Sequence, residues 1–181
     1  MRLAPRLEKV KPSPTLMVTV KVAALRRKGI EVIDFGTGEP DFDTPDNIKE
    51  AAIKAIRQGQ TKYTPVGGTA EVKEAIISKL GRDNGLEFNL SEVTTSCGGK
   101  HILFNALHAL LGPGDRVLIP APYWVSYSDI VVLAGGTPVL LSTTEDTGFK
   151  INPLQLDEAL QKGAKALLLN SPSNPTGAAY N

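Results

Sequence analysis

Cysteine, histidine and charge imbalance are all scarce in this chain of 181 residues. Cys97 is the single cysteine, so no internal disulfide can form. A reduced, cytoplasmic setting is therefore expected. His101 and His108 are the only histidines. With one cysteine they are too few to suggest a zinc centre, and no metal is expected. Lys and Arg number 20 against 19 Asp and Glu. So even a balance gives no general attraction to nucleic acid or to an anionic membrane. No segment reaches the roughly 18 uninterrupted apolar residues of a membrane span. The opening MRLAPRLEKVKPSP has no apolar core of the kind a secretory signal needs. What remains is an ordinary globular composition, 41% hydrophobic and 22% charged.

The pattern along the chain turns repetitive after its first third. Residues 1–14 are basic and contain Pro5, Pro12 and Pro14, which suits an extended arm. A helix is expected from Thr15 to Lys28, with Gly29 as its stop signal. A short strand is expected at Val32–Phe35, then a GTGEPD loop. Thr44-Pro45 opens a helix to about Gln58, in which Ile48, Ala51, Ala52, Ala55 and Ile56 follow the spacing of a buried face. Thr69 to Asn84 reads as a further helix, ended by Gly85. From there strands are expected at 93–96, 116–120, 137–141 and 165–170. Helices are expected at 98–111, 123–134 and 153–161. Strands alternating with helices predict an α/β fold: a mainly parallel sheet with helices on both faces, preceded by an N-terminal arm and helix.

Ligands of open α/β sheets sit beyond the carboxyl ends of the strands. Three of the predicted strand ends carry unusual residues. Cys97-Gly98-Gly99-Lys100 runs straight into a helix; two glycines, free helical N–H groups and an ammonium group suit a phosphate. The same residues also read as a plain tight turn with an exposed lysine. It is not a Walker loop, because Thr94 stands where the first glycine belongs and His101 follows Lys100. Nor is Gly36-Thr37-Gly38 a dinucleotide fingerprint, since Asp41 replaces the third glycine. After the 116–120 strand, Trp124, the only tryptophan, offers either a flat stacking surface or ordinary packing. After the 165–170 strand, Pro172 and Pro175 flank Asn174. Its amide is either presented to a ligand or bonded to its own backbone. Anion cradle, flat ring and fixed amide together fit a phosphorylated aromatic cofactor.

Five segments carry a family resemblance: GTGEPDFDTP at 36–45, TKYTPVGG at 61–68, GGK at 98–100, APYWVSY at 121–127 and SPSNPTG at 171–177. In order and spacing they resemble the N-terminal part of fold-type I, pyridoxal 5'-phosphate (PLP) dependent aminotransferases of the aspartate/prephenate kind. The resemblance implies that residues 1–45 form an arm and part of a small domain, and 46–181 the first half of the PLP-binding large domain. It implies that Gly98, Gly99 and Lys100 hold the cofactor phosphate, that Trp124 stacks on the ring and that Asn174 bonds its phenolic oxygen. Tyr63 would reach the cofactor of a neighbouring subunit in a homodimer. Gly38, Trp124, Asn174, Lys11 and Lys100 would meet the substrates, a dicarboxylic amino acid and a 2-oxo acid.

The family's cofactor-linked lysine is expected beyond Asn181, so no catalytic residue is assigned within the chain, and the isolated chain is expected not to transaminate. A PLP-dependent lyase or synthase, or a non-catalytic PLP-binding fragment, are the alternatives on the same fold.

Overall fold

A computed structural model describes residues 3–10, 12–36 and 38–180. They fall into two compact units, one formed by residues 1–24 with 99–181 and the other by residues 25–98.

The first unit is built on a three-stranded parallel sheet. Its strands are β1 (Arg116–Ala121), β2 (Thr137–Ser142) and β3 (Ala164–Leu167), in the order β2-β1-β3. Its helices are α1 (Pro14–Arg27, which runs on into the second unit), α4 (Gly99–Leu110), α5 (Ser126–Leu133) and α6 (Pro153–Gln161). A short 3-10 turn, Pro5–Lys9, packs against α5.

The central strand explains why helices cover both faces. Val117, Leu118 and Ile119 are completely buried. Successive side chains of a strand point to opposite faces. Val117 and Ile119 accordingly pack with Leu107, Leu111, Ile130 and Val131, from the α4 and α5 side. Leu118 packs with Leu141 and with Ala159 of α6. A continuous apolar run is what a parallel strand buried on both faces requires.

The third strand is shorter than the sequence suggests, and Pro120 gives the reason. The Leu168 N–H donates to the Leu118 carbonyl at 2.9 Å. The next ladder bond on that edge would come from the N–H of residue 120, and proline has none. Pairing with β3 therefore stops, and residues 168–170 leave the sheet as the lead-in to the Ser171–Gly177 loop.

The second unit holds α2 (Asp46–Arg57) and α3 (Ala70–Asn84). α3 begins and ends where expected. The Thr69 hydroxyl accepts from the Val72 N–H at 3.4 Å, and Gly85 closes the helix. α2 starts one residue late: Pro45 is its N-cap, not its first helical residue.

Two expected strands do not form. Residues 32–35 and 93–96 lie outside any ladder. A strand exists only with a paired neighbour, and the Thr95 N–H finds instead the carbonyl of Gly67, in a loop, at 2.9 Å. Here Gly68 has φ +99°, and a Cβ on it would collide with the Thr95 hydroxyl. The contact needs glycine.

Candidate functional site

The carboxyl end of the sheet in the first unit opens into a cleft of about 350 Å³. It is lined by Gly99, Lys100 and Leu103 of α4, Trp124 and Tyr127 after β1, and Asn170 and Asn174 after β3. That volume is within the range of small-molecule sites, roughly 300–1,000 Å³.

Each wall has a local cause. α4 starts at Gly99, so the amino end of a twelve-residue helix, with its partial positive charge, stands at this wall. Gly98, just before it, takes φ +92°, and a Cβ built on either Gly98 or Gly99 would meet no atom within 4 Å. The space beside both glycines is open, and it is the positive φ of Gly98 that favours glycine there. The Lys100 ammonium group lies over the Trp124 ring, 4.9 Å from its centroid. Trp124 is half-buried. It is held edge-on by Tyr127, with ring centroids 5.4 Å apart and an interplanar angle of 89°. The backbone fixes the same pair, since the Tyr127 N–H donates to the Trp124 carbonyl at 2.9 Å. Burial pushes the Tyr127 phenol above the ordinary tyrosine pKa, so it is neutral at physiological pH.

The third wall is the Ser171–Gly177 loop. Its Ser173 N–H donates to Ala178 O at 2.8 Å and its Gly177 N–H to Ser173 O at 2.7 Å. Asn170, at the loop's foot, accepts the Asn174 N–H on its side-chain oxygen at 2.8 Å. The Asn174 N–H is thus satisfied from outside, and Asn174 itself lines the cleft.

Of the residues singled out in the sequence, the cleft joins Gly99, Lys100, Trp124 and Asn174. Gly98, Gly38 and Tyr63 belong to the other unit. There Tyr63 is fully exposed and borders a cleft of about 490 Å³ with Gln60, Lys62, Thr64, Thr69 and Glu71. Lys11 lies outside the described residues. Sequence reasoning assigned nothing to Leu103, Tyr127 or Asn170. Tyr127 had a readable signal, three residues after Trp124 at a helix start; Asn170 had none, because its partner is a backbone group.

The donor set suits a phosphorylated aromatic molecule. The amino end of α4, an ammonium group lying over an indole ring, and two asparagines border one cleft, and no acidic residue is among those that line it. No group of three or more His, Cys, Asp or Glu among the described residues could hold a metal ion. No helix among them is long and apolar enough to cross a membrane.

Comparison with known proteins gives the family. The family model for aminotransferase class I and II matches residues 30–181. The chain belongs to the class I and II aminotransferase family. Among curated aminotransferases it is similar to the aspartate/prephenate aminotransferase of Nitrosomonas europaea, 54% identical over 181 residues, all of this chain and 46% of that protein. It is also similar to the aspartate/prephenate aminotransferase of Cereibacter sphaeroides, 57% identical over 98% of this chain and 44% of that protein. Among solved aminotransferases, the aspartate aminotransferase of Rhizobium meliloti superposes with a TM-score of 0.95 at 48% identity, over 100% of this chain and 45% of that one. The Thermus thermophilus enzyme with maleate gives 0.95 at 46% identity, over 100% and 48%. This aminotransferase chain thus spans less than half the length of the relatives it matches. Its parallel α/β fold is theirs, and the family is PLP-dependent.

Proposed function

We propose that the chain is the N-terminal portion of a PLP-dependent, aspartate-type aminotransferase, which moves an amino group between a dicarboxylic amino acid and a 2-oxo acid. The observation that carries this reading is the cleft itself: a helix N-terminus, Lys100, Trp124 and Asn174 converge on one volume of cofactor size. Curated relatives named aspartate/prephenate aminotransferase support the same substrate class.

In this reading residues 46–181 form the first half of the PLP-binding domain, and residues 1–45 an arm and part of a small domain. Gly98, Gly99 and Lys100 hold the phosphate through helical N–H groups and one full charge. Trp124 supplies a flat apolar face that excludes water from one side of the ring. Asn174 orients the ring by donating its amide N–H to the phenolic oxygen. PLP, when bound, supplies the electron-withdrawing ring that weakens the substrate's Cα–H bond.

On the substrate side Gly38 meets the α-carboxylate through its backbone, and Lys11 and Lys100 meet the far carboxylate. Tyr63, exposed on the second unit, serves the cofactor of a second copy in a homodimer. No residue of this chain is assigned the covalent step, and the 181-residue chain alone is not expected to transaminate. A cytoplasmic setting belongs to the same proposal, supported by a single cysteine.

The test is to titrate the chain with PLP while following absorbance and Trp124 fluorescence, then to add borohydride and weigh the protein. Saturable quenching with no stoichiometric reduced adduct is expected. A single adduct on one lysine would show that the chain carries its own covalent residue. Absence of any saturable quenching would remove the cofactor assignment.

A further inference from the structure

Asn170 connects the end of the sheet to the loop that carries Asn174, and no role has yet been given to it. It borders the cleft on one side. On the other it borders the space beneath the loop, together with Tyr123, Phe149, Ser173, Asn174 and Tyr180. That space is packed down to about 10 Å³, too little for more than about one water. The loop is also tied at its far end, where the Tyr180 N–H donates to the Ser171 hydroxyl at 2.9 Å and the Tyr180 hydroxyl accepts the Ile151 N–H at 2.9 Å. Between these anchors, one bond reaches the residue that faces the cleft: Asn174 N–H to Asn170 Oδ1, 2.8 Å.

We propose that Asn170 is a positioning residue for the cofactor cleft, fixing the Asn174 backbone so that the Asn174 carboxamide points at the ligand ring. This rests on the reading of the cleft as a PLP site. The physical case is one of geometry. Asn170 lies two residues after Leu168, whose N–H bonds Leu118 O of β1 at 2.9 Å, so it starts close to a fixed point on the sheet. Its side chain reaches four residues forward and accepts an N–H that no helix or ladder satisfies. A side chain rooted just beyond the sheet thereby sets the orientation of a loop amide. Without the bond, residue 174 gains backbone freedom, and a hydrogen bond to a ring oxygen must first recover that lost order.

A double-mutant cycle read by Trp124 quenching with PLP tests this, supported by hydrogen exchange of the Asn174 amide in the ligand-free chain. Asn170→Ala and Asn174→Ala are each expected to weaken PLP binding by roughly five- to tenfold, the worth of one hydrogen bond. The double variant is expected to be no weaker than Asn174→Ala alone, because Asn170 acts only through Asn174. Inorganic phosphate, competing at the α4 end, should keep its wild-type affinity in Asn170→Ala; a collapsed site would lose it. Asn170→Asp keeps the acceptor, so the Asn174 amide should stay protected there and lose protection in Asn170→Ala. Unchanged PLP affinity in Asn170→Ala, multiplying penalties in the double variant, or loss of amide protection in Asn170→Asp overturns the assignment while leaving the cofactor reading intact. No saturable quenching in the unmodified chain overturns both.

Discussion

The Lys100 ammonium group sits 4.9 Å above the centre of the Trp124 ring. The two residues come from different elements, the first turn of α4 and the segment after β1, and they meet only because β1 and α4 share the buried cluster of Leu107, Val117 and Ile119. An exposed cation–π contact contributes about 0.5–1 kcal/mol, so Lys100 is readily drawn from the ring by a stronger anionic partner.

Replacing that charge separates its two contributions. Lys100→Met keeps the apolar stem but loses the ammonium group. Affinity for inorganic phosphate is expected to fall about tenfold at low salt, as a charge-assisted hydrogen bond is lost, and the remaining binding should depend less on ionic strength. Trp124 emission should shift in the free chain, since the cation no longer lies over the indole. Fluorescence titration at two salt concentrations measures both; unchanged affinity would remove Lys100 from the anion site.

Asp115 ties three connections of the sheet together. Its carboxylate accepts from Lys165 Nζ at 2.8 Å and from the Gly112 N–H at 2.8 Å, and its carbonyl accepts the Thr137 N–H at 2.8 Å. The Lys165 hydrogen bond, then that from Gly112, holds the carboxyl below the ordinary aspartate pKa. A depressed native pKa gives stability that is present above the unfolded value and lost as pH falls through the native one. Stability measured by denaturant midpoint should therefore decline through and below the ordinary carboxylate range. Asp115→Asn should flatten that decline while lowering stability at neutral pH.

Leu118 is the most informative core position. It is completely buried and faces the α6 side of the sheet with Leu141 and Ala159. Leu118→Ala is expected to cost about 2–5 kcal/mol, from lost transfer energy and the cavity left behind. Urea unfolding checks this; a cost under about 1 kcal/mol would mean the β1 core is not closed as described.

Gly68 fixes the loop that carries Tyr63. In Gly68→Ala the new Cβ would collide with the Thr95 hydroxyl and lie 3.2 Å from both Thr95 Cβ and Cγ2, at φ +99°. A destabilisation of roughly 1–3 kcal/mol is expected from the backbone conformation and the displaced contact. Adding Thr95→Ala should recover only part of it, because the φ penalty remains. Full recovery would place the whole effect in the hydroxyl contact.

Much of this was legible in the chain itself. Period and punctuation determined α3 from Thr69 to Gly85, α6 from Pro153, and the buried run Val117–Ile119, because capping, helical spacing and continuous apolarity are local properties. The glycines before Lys100, the lone Trp124 and the proline-flanked Asn174 suggested a phosphorylated aromatic ligand by their residue types and their joint placement after predicted strands, which is the reading proposed above. Tertiary structure decided what depends on partners distant in sequence. Residues 93–96 look like a strand, yet their Thr95 N–H met a loop carbonyl at Gly67, and no ladder formed. The β3 ladder ended where Pro120, on another strand, withheld an N–H. Asn170 gained its place in the cleft through a backbone group of Asn174. Hydrogen-bond partners across the chain are not encoded in any one segment's pattern; they exist only once the sheet has brought the segments together.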